Sequence, residues 1–105
     1  MTPLDDGSAV HYTALELGTP VYSAEEVEVG TVAEVLDNYR EHIFDGLVIE
    51  DSDGVRRFVD APEVARTAER AVTLTISADE VARLGPPAEG RRPLGGAARR
   101  LFRRR

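Results

Sequence analysis

The stretch Val72-Thr73-Leu74-Thr75-Ile76 alternates strictly between aliphatic and polar side chains. A period of two is the pattern of a β-strand that buries one face and exposes the other. We therefore expect Val72, Leu74 and Ile76 to point into a core, while Thr73 and Thr75 face outward.

Similar short apolar runs recur upstream of this strand, at intervals of about ten residues. They are residues 20–22, 28–36, 43–50 and 55–59. Short strands at this spacing, separated by turn-forming residues, are typical of a small all-β sandwich or barrel. We predict an all-β barrel of about five to six strands with short helical turns.

The run at 43–50 is apolar on both of its faces. By simple alternation, three aliphatic side chains share one face: Ile43, Leu47 and Ile49. The other face holds Phe44 and Val48. Such a strand needs cover on both sides, from its own chain or from a partner. Tyr39, Phe44 and Val48 are therefore predicted to form an exposed apolar surface that binds another protein or a second copy of the chain.

Glycine, aspartate and serine mark the connections between these runs. The apolar face changes between Val29 and Val32, which predicts a β-bulge or a bend at Gly30. Asp51-Ser52-Asp53-Gly54 predicts a hairpin turn in which Gly54 takes a positive φ. Asp60-Ala61-Pro62-Glu63 predicts one helical turn, and the capping-box spacing of Ser77-Ala78-Asp79-Glu80 predicts a short helix.

Several fragments between Gly18 and Leu84 resemble, in their order and spacing, the PRC-barrel domain. The fragments are Gly18-Thr19-Pro20-Val21-Tyr22, Val29-Gly30-Thr31-Val32, Phe44-Asp45-Gly46-Leu47-Val48-Ile49, Arg57-Phe58-Val59 followed by Val64, Val72-Thr73-Leu74 and Ser77-Ala78-Asp79-Glu80. Two turns depart from the family pattern. Ser23-Ala24-Glu25-Glu26 stands where the family often has Asp-Gly, and Pro62 does not follow Val59 directly.

The resemblance implies a small β-barrel with a non-enzymatic role. Known PRC barrels form the cytoplasmic part of the photosynthetic reaction-centre H subunit and the C-terminal domain of a ribosome maturation factor, and many others are stand-alone prokaryotic proteins. The chain is similar to the stand-alone kind. Its predicted organisation is a flexible acidic leader at 1–17, a PRC-barrel-like domain at 18–84 and a flexible tail rich in proline, glycine and arginine at 85–105.

Charge is divided sharply along the chain. Residues 1–90 hold nineteen acidic residues and six arginines, a formal charge of −13, whereas residues 91–105 hold seven arginines and no acid. These are Arg91, Arg92, Arg99, Arg100, Arg103, Arg104 and Arg105. Such a tail can be a solubilising segment that lies loosely on the acidic barrel. It can also be an arm that binds RNA, the ribosome or an anionic surface, since arginine suits phosphate and the pair Leu101-Phe102 suits an interface.

The composition of the chain limits the cellular compartments and the kinds of chemistry to be expected. The chain has no cysteine, which rules out disulfides and thiol catalysis. Its N-terminus lacks the apolar core of a secretory signal, and its longest apolar run is far too short to span a bilayer. We expect a cytoplasmic protein. All thirteen basic residues are arginine, which is consistent with a GC-rich bacterial genome.

Candidate catalytic and metal-binding residues are few. Tyr39, His42 and Asp45 gather in one connection and support a weak enzymatic alternative, although a polar loop of this kind is ordinarily solvated. His11 and His42 lie too far apart in sequence for a zinc motif. Arg56 and Arg57 are expected to pair with glutamates across strands. We predict no catalytic residue, no metal and no cofactor.

The sequence thus favours a non-enzymatic binding or adaptor module. A barrel of about 67 residues buries only roughly 60% of its unfolded surface, so self-association or docking on a protein partner would supplement its stability. The alternative is an accessory factor that associates with RNA or the ribosome through the arginine-rich tail.

Overall fold

The computed structural model describes residues 5–38, 41 and 43–87, and within them the chain is mostly β-strand. The strands are β1 (Pro20–Tyr22), β2 (Glu28–Asn38), β3 (Ile43–Glu50), β4 (Arg56–Asp60), β5 (Val64–Thr67) and β6 (Val72–Leu74). One short helix, α1 (Ala78–Ala82), follows them, and 3₁₀ turns form at Tyr12–Ala14 and Ala61–Glu63. The all-β prediction is confirmed, although β5 was not among the predicted apolar runs.

The strands form one sheet that curls into a half-barrel. Their order is β4-β3-β2-β1-β6-β5, with β1 and β6 parallel and the other neighbours antiparallel. The two edge strands, β4 and β5, follow each other in the chain with only the 3₁₀ turn Ala61–Glu63 between them. Because three residues span about 10 Å at most, the sheet has to curl until its edges approach each other.

The concave face of the sheet holds the main core. Its buried members are Leu15, Val21, Val32, Leu47, Ile49, Val59, Val72, Leu74 and Val81. Val72 and Leu74 are fully buried, Ile76 packs against them, and Thr75 is exposed, as the alternating pattern predicted. Strand β6 ends at Leu74, two residues before the predicted end.

Strand β2 carries irregular pairing on both sides. Val21 pairs with Gly30 and Tyr22 with Glu28, so Val29 is an extra residue. A bulge is therefore present at Val29, directly before Gly30, where the sequence predicted a bulge or a bend. On the other side, Leu36 pairs with Gly46 and Asp37 with Phe44, which leaves Asp45 as an extra residue in β3.

The predicted turns and caps are present. Gly54 has a φ of 83° and its amide donates to the Asp51 carbonyl at 2.9 Å. The Glu80 amide donates to the Ser77 hydroxyl at 3.1 Å, and the Ser77 amide donates to the Glu80 carboxylate at 2.8 Å. At the second 3₁₀ turn, the Asp60 amide donates to the Glu63 carboxylate at 3.3 Å. Each of these bonds satisfies a backbone group at a chain reversal.

The structure places the described part of the predicted leader, residues 5–17, against the barrel. Leu15 belongs to the core, and the Val10 amide donates to the Thr67 carbonyl at 3.0 Å. Arg66 binds the Asp6 carboxylate at 2.7 Å, which holds the segment along the outer edge of β5. The folded unit therefore begins upstream of the predicted boundary at residue 18, and the leader covers an edge strand that could otherwise pair with another chain.

The hairpin between β1 and β2 contains Glu26 in the left-handed region, with a φ of 67°. A side chain in this region costs about 1–2 kcal/mol, and glycine removes that cost at a smaller entropic penalty. We expect Glu26→Gly to raise the free energy of unfolding by about 0.5–1 kcal/mol in urea denaturation. Glu26→Ala is the matched control because it keeps the strain; equal midpoints for the two variants would contradict the prediction.

Candidate interaction groove

Strand β2 extends well beyond its neighbour β1. Strand β1 pairs only with residues 28–31, and Gly18 and Thr19 continue that contact through backbone hydrogen bonds to Val32 of 2.8 and 2.9 Å. Strand β3 pairs with β2 as far as Asn38. We call the side of residues 33–38 that faces away from β3 the outer β2 edge. Within the described part of the chain, no strand pairs with this edge.

A groove of about 900 Å³ lies beside the outer β2 edge. Its lining comes from the N-terminal segment, from β2 and from β4: Tyr12, Thr13, Leu15, Leu17, Ala33, Glu34, Val35, Asp37 and Arg56. The volume is within the range of sites that hold small ligands. The groove is therefore lined by apolar side chains and lies next to a stretch of sheet edge.

Tyr12 forms a fixed wall of this groove. Its hydroxyl donates to the Asp37 carboxylate at 3.3 Å, and its ring stacks on Phe44 with 4.8 Å between the centroids. Partial burial and the neighbouring Asp37 carboxylate hold the pKa of Tyr12 above its ordinary value. The phenol thus keeps its proton at neutral pH and remains a hydrogen-bond donor.

Leu17 is held outward at the mouth of the groove. The Thr19 amide and hydroxyl both donate to the Glu16 carbonyl, at 3.3 and 2.6 Å, and Gly18 closes the turn with a φ of 90°. Leu15 points into the core from the other end of the same segment, whereas Leu17 remains 66% exposed. Covering an exposed leucine is favourable by about 25 cal/mol for each Å² of apolar surface removed from water.

The charged groups of the groove are mostly acidic. Glu34 and Asp37 contribute carboxylates, and the Arg56 guanidinium lies 3.8 Å from Glu34 and 3.1 Å from Glu50. Arg56 thus makes the predicted cross-strand pairs with glutamates, while Arg57 binds Asp51 at 2.7 Å. The described lining thus holds two carboxylates and one guanidinium, a balance that suits a cationic ligand better than an anionic one.

The predicted apolar surface on β3 is not present in the expected form. Val48 is only 2% exposed, with Glu34 and Phe58 as its cross-strand neighbours. Phe44 packs against the main core and Tyr12, because the extra residue Asp45 reverses the alternation of side chains. The prediction that Phe44 and Val48 share an exposed face is therefore wrong. The third predicted member, Tyr39, lies outside the described residues.

The reversal also moves Ile43 to the surface. It is 54% exposed, although the sequence pattern grouped it with the core residues Leu47 and Ile49. Unbroken alternation was the assumption behind that grouping, and one inserted residue is enough to invert it.

The other predicted sites fall partly outside the described residues. This is true of His42 in the weak enzymatic alternative and of all seven tail arginines: Arg91, Arg92, Arg99, Arg100, Arg103, Arg104 and Arg105. Within the described ranges, no cluster of three or more histidine, aspartate or glutamate side chains is arranged to hold a metal ion. In the same ranges, no helix is long and apolar enough to cross a membrane.

Sequence reasoning missed Tyr12 and Leu17 because the first seventeen residues were assigned to a leader. A signal was present: Leu15 and Leu17 alternate with Glu16 immediately before Gly18. The alternation alone would have placed both leucines on one face, whereas the structure buries Leu15 and exposes Leu17. No protein-family model and no curated protein matches the chain.

Proposed function

We propose that the protein is a non-enzymatic binding module of the PRC-barrel type, which holds an extended segment of another protein in the groove beside β2. The observation that carries the proposal is that an exposed apolar side chain and an unpaired stretch of sheet edge lie at the same groove. An outward-facing Leu17 lies beside a sheet edge along which no described strand runs.

Strand addition explains how such a site would work. An extended peptide laid along the outer β2 edge forms main-chain hydrogen bonds, which supply affinity for many sequences. Alternate side chains of the peptide then enter the groove, where Leu15, Leu17 and Val35 supply apolar contacts. Specificity follows from these side-chain contacts, since the backbone bonds are common to all peptides.

The electrostatics of the groove favour a basic peptide. Glu34 and Asp37 line it, and the neighbouring Glu16 is exposed. Arginine or lysine in the ligand would pair with these carboxylates in a partly desolvated setting, where such pairs discriminate between partners. We therefore assign the site an extended ligand that combines aliphatic or aromatic residues with positive charge.

A binding role is also supported by how the polar groups of the groove are used. The Tyr12 hydroxyl bonds Asp37, and Arg56 lies within ion-pair distance of Glu34. These pairs hold the walls of the groove in place, as a binding site requires. The curled sheet, the capped helix after β6 and the order of strands and turns support the PRC-barrel type.

Peptide selection on the immobilised full-length protein tests the proposal. We expect enrichment of basic peptides with apolar residues, and a loss of at least tenfold in their affinity for Leu17→Asp, since charge at this position opposes apolar contact. Val27→Asp is the matched control because Val27 is 50% exposed but lies beyond the other end of β2. Failure to enrich any peptide, or equal binding to both variants, would contradict the proposal.

A second candidate is binding of RNA or another polyanion through residues 91–105. The uneven charge of the chain supports this candidate, since residues 1–90 have a formal charge of −13 and the tail holds seven arginines and no acid. RNA retention that is salt-dependent and unaffected by Leu17→Asp belongs to this second function.

A further inference from the structure

We infer that the chain's own arginine-rich segment, residues 91–105, docks in the groove beside β2 and competes there with the external peptide. This inference rests on the proposed function, because it names an occupant of the same site. Four observations carry it: the strand to which the last described residues are attached, the length of chain beyond them, the charge of the two parts, and the position of one apolar pair.

The last described residues of the chain are attached to β4, the strand that contributes Arg56 to the groove lining. The Phe58 amide of β4 donates to the Gly85 carbonyl at 3.0 Å, which ties the chain to that strand. Arg56, two residues along the same strand, lines the groove. Since a strand rises about 3.3 Å per residue, the attachment lies roughly 7 Å along the strand from the groove lining.

The length of chain beyond this point is sufficient. Eighteen residues follow Pro87. Extended, they reach about 60 Å, which is many times the distance from β4 across β3 to β2. The tail can therefore lie along the outer β2 edge without strain in the connection.

The charges of tail and groove are complementary. The tail brings seven arginines and no acid, and the groove presents Glu34 and Asp37 beside the exposed Glu16. Arginine pairs with carboxylates through a planar fork that forms two parallel hydrogen bonds. Attraction of this kind brings the tail to the acidic barrel, but charge alone does not choose the groove over other acidic surface.

The apolar pair Leu101-Phe102 supplies that choice. It stands between Arg100 and Arg103, so positive charge flanks it on both sides. The groove offers Leu17, Val35 and the Tyr12 ring as apolar partners, with carboxylates at its walls. The tail thus has the composition that the groove requires of an external peptide.

Covalent attachment makes this occupant effective. A tethered segment has an effective concentration of the order of 1 mM, so even a weak intrinsic contact keeps the site largely filled. An external peptide can bind only those molecules whose groove is empty. Its apparent affinity is therefore its intrinsic affinity multiplied by the fraction of molecules with an empty groove. The tail would thus raise the ligand concentration needed to fill the groove, so that only a tightly binding or abundant ligand displaces it.

Paramagnetic relaxation in the full-length protein tests the contact. The chain contains no cysteine, so Ala98→Cys gives a single attachment site for a nitroxide label. We expect the amide signals of Leu17, Ala33 and Val35 to broaden, and the signal of Val27 to remain sharp. The broadening persists when labelled protein is diluted with unlabelled protein, because the contact is within one chain.

The control variant carries Leu101→Ser and Phe102→Ser in the same labelled chain. We expect it to lose the broadening in the groove while the arginines remain. Broadening spread evenly over the acidic surface, broadening that is unchanged in this variant, or broadening that disappears on dilution would overturn the inference.

Competition separates this inference from the proposed function. A peptide selected on the groove should bind the Leu101→Ser, Phe102→Ser protein roughly tenfold more tightly than the unaltered chain. Equal affinity for the two proteins overturns tail docking and leaves the proposed function intact. If no selected peptide depends on Leu17, the proposed function fails, and the relaxation measurement still decides whether the tail occupies the groove.

Discussion

Gly46→Ala is expected to lower the free energy of unfolding by about 2–6 kcal/mol. Gly46 has a φ of 155°, a backbone conformation that side chains rarely adopt. A Cβ atom at this position would also overlap the Val59 carbonyl and lie 2.8 and 2.9 Å from two atoms of the Phe58 ring. Strain and overpacking contribute about 1–3 kcal/mol each, which is a large part of the stability of a small domain.

Gly54→Ala is the matched control for this variant. Gly54 also has a positive φ, of 83°, but no atom lies within 4 Å of the position that a Cβ would take. Its cost is therefore backbone strain alone, about 1–2 kcal/mol. Urea denaturation of both variants measures the difference in their free energies of unfolding. If the Gly46→Ala protein were as stable as the Gly54→Ala protein, β4 would not pack closely against β3 at Gly46.

Leu74→Ala is expected to cost about 2–5 kcal/mol. The side chain is 1% exposed in the centre of the core, so its removal loses apolar burial and leaves a cavity that the curled sheet cannot fully close. Thermal unfolding followed by circular dichroism measures the loss, which could bring a domain of this size close to unfolding at room temperature.

Val55→Ala provides the comparison for Leu74→Ala. Val55 is 46% exposed and directly precedes β4, and its truncation creates no cavity, so a change within about 0.5 kcal/mol is expected. A Leu74→Ala protein that melts within a degree or two of the unaltered chain would mean that β6 or its facing is misassigned.

The sequence was sufficient wherever a local pattern determines structure. The alternation at 72–76 predicted the facing of β6, and the capping residues Ser77 and Asp60 predicted the helical turns. These features depend on neighbours within a few residues, so one stretch of chain contains all the information. The charge pairs of Arg56 were predictable for a similar reason, since the adjacent hairpin sets which residues face each other.

The candidate site depended on information that no single stretch contains. The groove arises because β1 begins only opposite Thr31 while β2 continues to Asn38, and because Tyr12 and Leu17 line the space beside that part of β2. The number of residues over which two strands pair depends on both strands. The sequence of residues 28–36 therefore does not show how much of β2 is paired with β1. The face of Phe44 was misjudged because the extra residue Asp45 is visible only when β3 is aligned with β2.

The bulges of β2 and β3 also bear on how faithfully the chain folds. Gly46 lies where the Val59 carbonyl and the Phe58 ring of β4 approach β3 too closely for a Cβ atom. If the hairpin slipped by one residue during folding, Asp45 or Leu47 would occupy that place and meet the Val59 carbonyl. We therefore expect this collision to disfavour the mispaired register relative to the native one. A glycine that weakens the strand locally protects the chain from settling into a neighbouring register, where its apolar residues would face water and other chains.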